Sequence, residues 1–295
     1  MIKIALASDL HLEIAPITLT NTDGADVLIL SGDICVAHSL HDHPIDKPVP
    51  EDAMKPGRNQ GGAVRYREFF KHVSDEYEHV VYVAGNHEFY HGPYPDVYGW
   101  LREEFTNYPN IHFLDMDTVV IDDVTFVGGT LWSNMNKRDP TTMHVIEGMM
   151  NDFRIIRNSR RNYARFSPLD AVLHHEATLN YIQEVVESDA TKKYVVVGHH
   201  APTSLSIHEM YKKDTWMNGG YYSDLSEFIL DHPQIVLWTL GHVHNPHSYY
   251  MGDTFVVANP RGYAGHEPNA ANFKLRFIDL DNMPEKFDGV NWSRD

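Results

Sequence analysis

Five short apolar runs in this chain each stop on a side chain with metal-binding chemistry, and that repetition constrains the fold more than any other feature. The sharpest case is Val80-Val81-Tyr82-Val83-Ala84, which runs into Gly85-Asn86-His87-Glu88. A run of that length, β-rich and halted by glycine, reads as a buried strand. An amide, an imidazole and a carboxylate in successive positions at its mouth make sense only if something polar sits there. Residues 2–7 lead likewise to Ser8-Asp9-Leu10-His11, and 27–30 to Ser31-Gly32-Asp33. Residues 194–197 lead to Gly198-His199-His200, and 235–240 to Gly241-His242-Val243-His244. Uninterrupted apolar strands belong in the middle of a sheet covered on both faces. In open α/β sheets ligands bind beyond the carboxyl ends of the strands, so the five runs can deliver their polar ends to one crevice.

The intervening stretches fit that plan. Val64, Tyr66, Phe69, Phe70, Val73 and Tyr77 have helical spacing, which implies a βαβ crossover and a parallel sheet. Residues 98–105 also read as helix. Three short strands follow at 111–114, 118–121 and 125–128, the last two joined at Asp122-Asp123 as an antiparallel pair. Residues 136–190 read as mainly helical. Ser167-Pro168-Leu169-Asp170 supplies a capping serine, a proline in the first turn and a carboxylate at the third position. The helix it opens is expected to bury Leu169, Val172, Leu173, Leu179, Ile182 and Val186. A helix near 225–230 comes next. Residues 247–251 and 254–258 form a hairpin around Gly252-Asp253, and 273–280 adds a last strand. The expectation is one α/β domain over residues 1–295, with two mixed sheets and helices outside. It carries a His/Pro-rich insertion at 36–63 and a helical insertion at about 136–190.

Composition narrows the function. The net charge of −17 over 295 residues disfavours broad binding to nucleic acid or anionic lipid. No apolar run approaches a membrane span, and Asp9 interrupts an N-terminal run already too short for a signal peptide. Cys35 is the one cysteine; it excludes an intrachain disulfide, points to a reducing, cytoplasmic setting, and reads as a small core residue. His38, His41, Asp42, His43 and Asp46 read as a polar loop that could cover the site, ahead of a third metal site.

Asp9, His11, Asp33, Asn86, His199, His242 and His244 together offer two carboxylates, one amide oxygen and four imidazoles. Nitrogen and oxygen donors without thiolate suit Mn, Fe, Zn, Ni or Co. Seven side chains are too many for one ion, but a bridging carboxylate gives each of two ions about four. Asp33, closing a tight Gly-Asp turn, is the natural bridge.

Asp9-x-His11, Gly32-Asp33, Gly85-Asn86-His87-Glu88, His199 and Gly241-His242-x-His244 resemble, in order, the signature of the calcineurin-like metallophosphoesterase superfamily. The resemblance spans residues 9 to 244. It implies a four-layer α/β/β/α sandwich with a dinuclear site at the strand ends. Carried over by position, Asp9, His11, Asp33 and His244 hold one metal, and Asp33, Asn86, His199 and His242 the other. His199 is preferred over His200 because it directly follows the strand. Two divalent cations, with Mn the first choice, would activate a bridging hydroxide for attack on phosphorus. His87 would be a general acid, Glu88 would orient His87 or a ligand, and His200 could touch substrate phosphate. The implied activity is hydrolysis of phosphoesters, taken here as small or nucleotide-type phosphodiesters. The alternative is a phosphomonoesterase or protein phosphatase; a nuclease or a non-catalytic scaffold is a more distant one.

Arg154, Arg157, Arg160, Arg161 and Arg165 form a basic island in an acidic chain. On a helix, Arg154, Arg157, Arg161 and Arg165 would share a face. Arg157 and Arg161 could then reach a second phosphate; the plainer reading is a solvated face pairing with acids. Arg261, in Asn259-Pro260-Arg261-Gly262-Tyr263, is a further candidate substrate contact.

Overall fold

The structure, a computed structural model, describes residues 2–45 and 60–292. Its strands are β1 (Lys3–Ala7), β2 (Val27–Ser31), β3 (His79–Val83), β4 (Pro93–Tyr94), β5 (Ile111–Phe113), β6 (Asp117–Ile121) and β7 (Val124–Gly128). They continue with β8 (Arg157–Asn158), β9 (Ala164–Arg165), β10 (Lys193–Val197), β11 (Ile235–Leu240), β12 (His247–Met251), β13 (Thr254–Ala258) and β14 (Arg276–Asp279). One sheet has the order β14-β1-β2-β3-β5, and a second β12-β13-β11-β10-β7-β6. The inner pairs are parallel, while β14, β12 and β6 are antiparallel edges, so both sheets are mixed.

Strand periodicity explains the layering. Ile4, Leu6, Val27, Ile29, Val81 and Val83 face Phe126, Val195, Val197, Leu237, Phe255 and Val257 between the two sheets. Their neighbours Ala5, Ala7, Leu28, Leu30, Val80 and Tyr82 point to the opposite face. There they meet Tyr66, Phe69 and Phe70 of the helix Gln60–Glu76 and Val97, Leu101 and Phe105 of the helix Asp96–Phe105. Beyond the second sheet, Val127, Val196, Trp238 and Val256 meet Ile182, Val186 and Ile229. This is the four-layer α/β/β/α sandwich, and it explains why the strands are apolar without alternation: both of their faces are covered.

Three local expectations are corrected. Leu169 and Leu173 are 47% and 51% exposed. The inner face of the helix Pro168–Glu187 instead carries Ala171, Val172, His175, Thr178, Ile182 and Val186. Its histidines are accommodated by hydrogen bonds, His175 Nδ1 to the Leu131 carbonyl at 3.0 Å and His174 Nε2 with the Tyr98 hydroxyl at 2.8 Å. Hydrophobic spacing therefore placed Val172, Ile182 and Val186 correctly but set the first turns of the face wrongly. Residues 157–165 are not helical: β8 and β9 flank a 3-10 turn and join β4 in a small sheet. The single arginine face does not exist. The expected polar loop after Val36 begins with a helix, Ala37–Asp42, in which His38 pairs with Asp42 at 3.2 Å and His41 stacks on Trp100 at 3.8 Å. Asp46 and residues 47–59 of the expected insertion lie outside the described residues. Cys35 is in the core, as expected.

The loops at the strand ends are tied to one another within each sheet and, at Ser31 and Thr239, across the two. Asp9 N–H donates to the Gly32 carbonyl at 2.9 Å, His11 N–H to Asp33 at 2.9 Å, and Gly241 N–H to His199 at 2.9 Å. The hydroxyls of Ser31 on β2 and Thr239 on β11 meet at 2.8 Å. Gly32 has φ +85° and stands so close to His199 that an added Cβ would lie 2.4 Å from its Nδ1. Only glycine fits that turn.

Candidate metal centre

Backbone strain marks the place. Asp9, His11, Asp33, His242 and His244 have φ of 50°, 46°, 56°, 66° and 50°. A non-glycine residue in this left-handed region costs about 1–3 kcal/mol and persists where surrounding contacts enforce it. Five of the seven strand-end candidates carry that cost.

The side chains converge on Asp33. Its Oδ2 is 3.9 Å from His11 Nε2, and its Oδ1 is 3.5 Å from His199 Nε2. One group, Asp9, His11, Asp33 and His244, offers donor atoms within 4.8 Å of one another, and a second, Asp33, His199 and His242, does the same. Asp33 belongs to both. Asn86 Oδ1 joins the second, 3.0 Å from His199 Nε2. A third triad, His11, Glu13 and His87, meets the same criterion, but there Glu13 Oε1 accepts from the Nδ1 atoms of His11 and His87 at 3.0 and 2.9 Å.

These residues fit cations. His11 Nε2 and His244 Nε2 face each other at 3.1 Å. Asp9 Oδ2 and His242 Nε2 are buried without a hydrogen-bond partner. Such orphaned polar atoms call for an ion or water.

A ring of carboxylates and carbonyls fixes the tautomers. Glu13 takes His11 Nδ1, Glu267 takes His244 Nδ1 at 2.8 Å, and the Ser31 carbonyl takes His199 Nδ1 at 2.8 Å. Asp152 accepts from Asn86 Nδ2 and Tyr90 Oη, both at 2.9 Å, which turns the Asn86 oxygen toward His199. Glu88 binds backbone: it accepts the N–H groups of Asp33, Ile34, Cys35 and Gly85 and the Tyr82 hydroxyl, at 2.6–3.3 Å. It thus locks the Asp33 turn to the Gly85 turn, while Glu13 takes the role expected of Glu88 toward His87.

Electrostatics follow from burial and these pairs. Burial pushes Asp9 upward, but His244, His199 and His11 outweigh it and hold the carboxyl below its usual range. Burial lowers His244, yet Asp9 and Glu267 carry it up to about 10. His87, likewise opposed by burial, is raised to about 9 by Asp33 and Glu13. Burial and the Asp33 charge raise Glu88 to about 7. Burial and neighbouring imidazoles hold His242 and His200 well below the usual histidine value, so both stay neutral.

The site opens into a cleft of about 730 Å³ with Asp33, Asn86, His87, His242 and His244 among its lining. Tyr90 stacks on His87 at 4.2 Å, Tyr221 lies 4.8 Å from His242, and Tyr263 lies 4.5 Å from His11 and 4.7 Å from His244. His200 does not line the cleft: it packs behind His242 at 4.1 Å and faces the Thr130 carbonyl. Arg161 pairs with Asp170 at 3.0 Å, and Arg157 is exposed on β8. Arg261 donates to the carbonyls of Leu10, Ala15 and Pro16, pinning the loop that carries His11 and Glu13. None of the three arginines lines the cleft, which corrects the expectation of a phosphate contact. Glu13, Asp152, Tyr263 and Glu267 were not singled out from the sequence. Only Glu13 had a local signal, continuing the Asp9, His11 alternation.

The family description "Calcineurin-like phosphoesterase" matches residues 2–246. The uncharacterized protein L509 of Acanthamoeba polyphaga mimivirus is 29% identical over 229 residues, 74% of this chain and 79% of that protein. The crystal structure of Phosphopantetheinyl Hydrolase (PptH) from Mycobacterium tuberculosis superposes with a TM-score of 0.65 at 13% identity, over 96% of this chain and 98% of that one. With that match running over every strand-end block, the chain belongs to the calcineurin-like phosphoesterases, metal-dependent hydrolases of phosphoester bonds.

Proposed function

We propose that this chain is a two-metal phosphodiesterase for a small or nucleotide-type diester. The observation that carries the reading is Asp33, whose two oxygens face different histidine groups at the floor of one cleft. In this reading Asp9, His11, Asp33 and His244 hold one divalent cation, and Asp33, Asn86, His199 and His242 the other. Such a pair supplies a nucleophile at neutral pH and neutralises phosphoryl oxygens. Mn is the first choice, with Fe, Zn, Ni and Co matched by the same nitrogen and oxygen donors.

The chain's own groups do the rest. His87 reaches into the cleft with Nε2 4.0 Å from Asp33 Oδ2. Glu13 holds its Nδ1, so Nε2 is the atom that hands a proton to the departing alkoxide. Tyr90 on the His87 face and Tyr263 beside it keep the ring in place and shield it from water.

Charge favours the diester. A phosphomonoester approaches two negative charges near neutral pH; a diester carries one. Among the described residues lining the cleft there is no lysine or arginine, and Asp152, Asp214 and Glu267 add negative charge. Taking residues 1–295 as one domain belongs to the same proposal, since both large sheets contribute to the centre. Cys35, single and buried, suits a reducing compartment such as the cytoplasm. The test is kcat/KM of the Mn-loaded protein on bis(p-nitrophenyl) phosphate against p-nitrophenyl phosphate. The diester is expected to be the better substrate, and a clear preference for the monoester would select the phosphatase alternative.

A further inference from the structure

Beside the cleft lies a second pocket of about 310 Å³. His208, Asn245, Pro268 and Asn269 line both, so the two spaces adjoin. The annex begins at the candidate metal centre: Asn245 follows His244, and Asn269 lies two residues beyond Glu267, which takes His244 Nδ1. Its far side is Trp292. Asn291 and Ser248 exchange backbone hydrogen bonds at 2.8 Å, which ties this last segment to β12. The indole is then held by His208, edge-on, and by His247, each with ring centroids at 5.0 Å.

The polar rim is equally defined. Asn245 Nδ2 donates to the Val243 carbonyl at 3.2 Å, and Asn269 Nδ2 to the His244 carbonyl at 3.4 Å. One N–H of each amide therefore fixes its orientation. An asparagine amide has a second N–H and an acceptor oxygen for a ligand. An indole beside oriented amides suits a flat ring with donors and acceptors on its edge. Base–aromatic stacking and asparagine–base pairing use the same groups.

We infer that the annex binds the nucleobase of a nucleotide-type phosphodiester whose phosphate lies over Asp33, a reading that rests on the proposed function for the position of the phosphate. The annex carries no lysine or arginine among the described residues that line it, so it recognises a neutral ring. A second phosphate has no partner there.

The test is calorimetric binding to the Mn-loaded protein of a non-hydrolysable phosphinate isostere of adenosine 5'-methyl phosphate, with dimethylphosphinate as the base-free control. The adenosine isostere should bind about tenfold more tightly or better, the scale that stacking of one base supplies. Trp292→Ala should cut the ratio of the two affinities by roughly tenfold, Trp292→Phe should restore part of it, and Asn269→Ala should cut it by a few fold. A wild-type ratio near one, or a ratio that survives both Trp292→Ala and Asn269→Ala, overturns the inference. Absence of metal-dependent turnover of bis(p-nitrophenyl) phosphate would instead remove the hydrolase reading and leave the binding result standing.

Discussion

His11 and His244 confront each other through their Nε2 atoms at 3.1 Å, while Glu13 and Glu267 fix their opposite nitrogens. With both rings neutral, lone pair would face lone pair there, which a shared proton relieves and a divalent cation relieves more strongly. Chelation should therefore destabilise the protein. A site saturated about a hundredfold above Kd adds about 2.7 kcal/mol, which for a chain of this size is a melting shift of roughly 4 °C. Thermal melts with EDTA, and then with excess Mn²⁺, measure it. Coincident curves would mean that no ion is bound in the folded state.

Asp33 is the one carboxylate common to both donor groups. Asp33→Asn keeps the shape, but replaces one charged oxygen with an N–H that repels a cation. We expect bound metal to fall from two ions to one or fewer, by elemental analysis. Activity should drop by about a thousandfold or more, as expected when several kcal/mol of metal stabilisation is lost. Two retained ions with full activity would rule out the bridging role.

His87 and Glu13 form a separable pair, joined at 2.9 Å. His87→Ala should retain metal while kcat falls about 10²–10⁴-fold, the usual contribution of general acid catalysis. The loss should steepen as the leaving group becomes more basic. Glu13→Gln should cost about 10–100-fold in activity or metal affinity, since it loosens both His87 and the candidate ligand His11. A loss for His87→Ala that is the same for good and poor leaving groups would assign the ring a binding role.

Much of this centre was legible because its groups sit where apolar strands stop. Asp9, Asp33, Asn86, His199 and His242 are each within three residues of a strand end, so strand recognition placed them. Asp152 and Glu267 were not legible: they stand at the starts of short helices remote in sequence, and only the tertiary path brings them to Asn86 and His244. The helix Pro168–Glu187 shows the opposite failure. Its start was readable from Ser167 and Asp170, and Val172, Ile182 and Val186 were placed correctly, but the rest of its buried face was not readable, because His174, His175 and Thr178 are buried by hydrogen bonding rather than by hydrophobicity. The Arg157–Arg165 stretch has helix-compatible spacing, yet Asn162 and Tyr163 take left-handed φ and turn it into a hairpin.

Glu88 is predicted to matter through backbone geometry. Its oxygens accept four backbone N–H groups and one hydroxyl. In Glu88→Gln, whichever side receives the amide nitrogen sets donor against at least two donors. Leaving buried donors unpaired costs about 1–3 kcal/mol each, so stability should fall by about 3 kcal/mol in urea titrations of the metal-free protein. Glu88→Gln with wild-type stability would show that the two turns hold without this link.

Part of the acid sensitivity should come from histidines outside the donor set. Burial holds His175 and His247 down to about 4, and each donates Nδ1–H to a backbone carbonyl, of Leu131 and Asn245 respectively. The unfolded chain protonates both near pH 6.5. Their folded pKa values are depressed, so the neutral rings favour the folded state above pH 6.5. That advantage is lost as pH falls through 4, because between those limits the unfolded state takes up protons that the folded state cannot. Each site should reduce stability by about 1.4 kcal/mol per pH unit in that window, roughly 3 kcal/mol in full. His247 adds a hydrogen-bonding reason: its Nε2 is buried without a partner, so a proton there would have no acceptor. Urea midpoints between pH 7 and 4 test this with His175→Gln, whose amide can still donate to the Leu131 carbonyl and does not titrate. The variant should show a shallower decline, by about 1.4 kcal/mol per pH unit. A slope equal to that of the wild type would mean that His175 is not kept neutral by the fold.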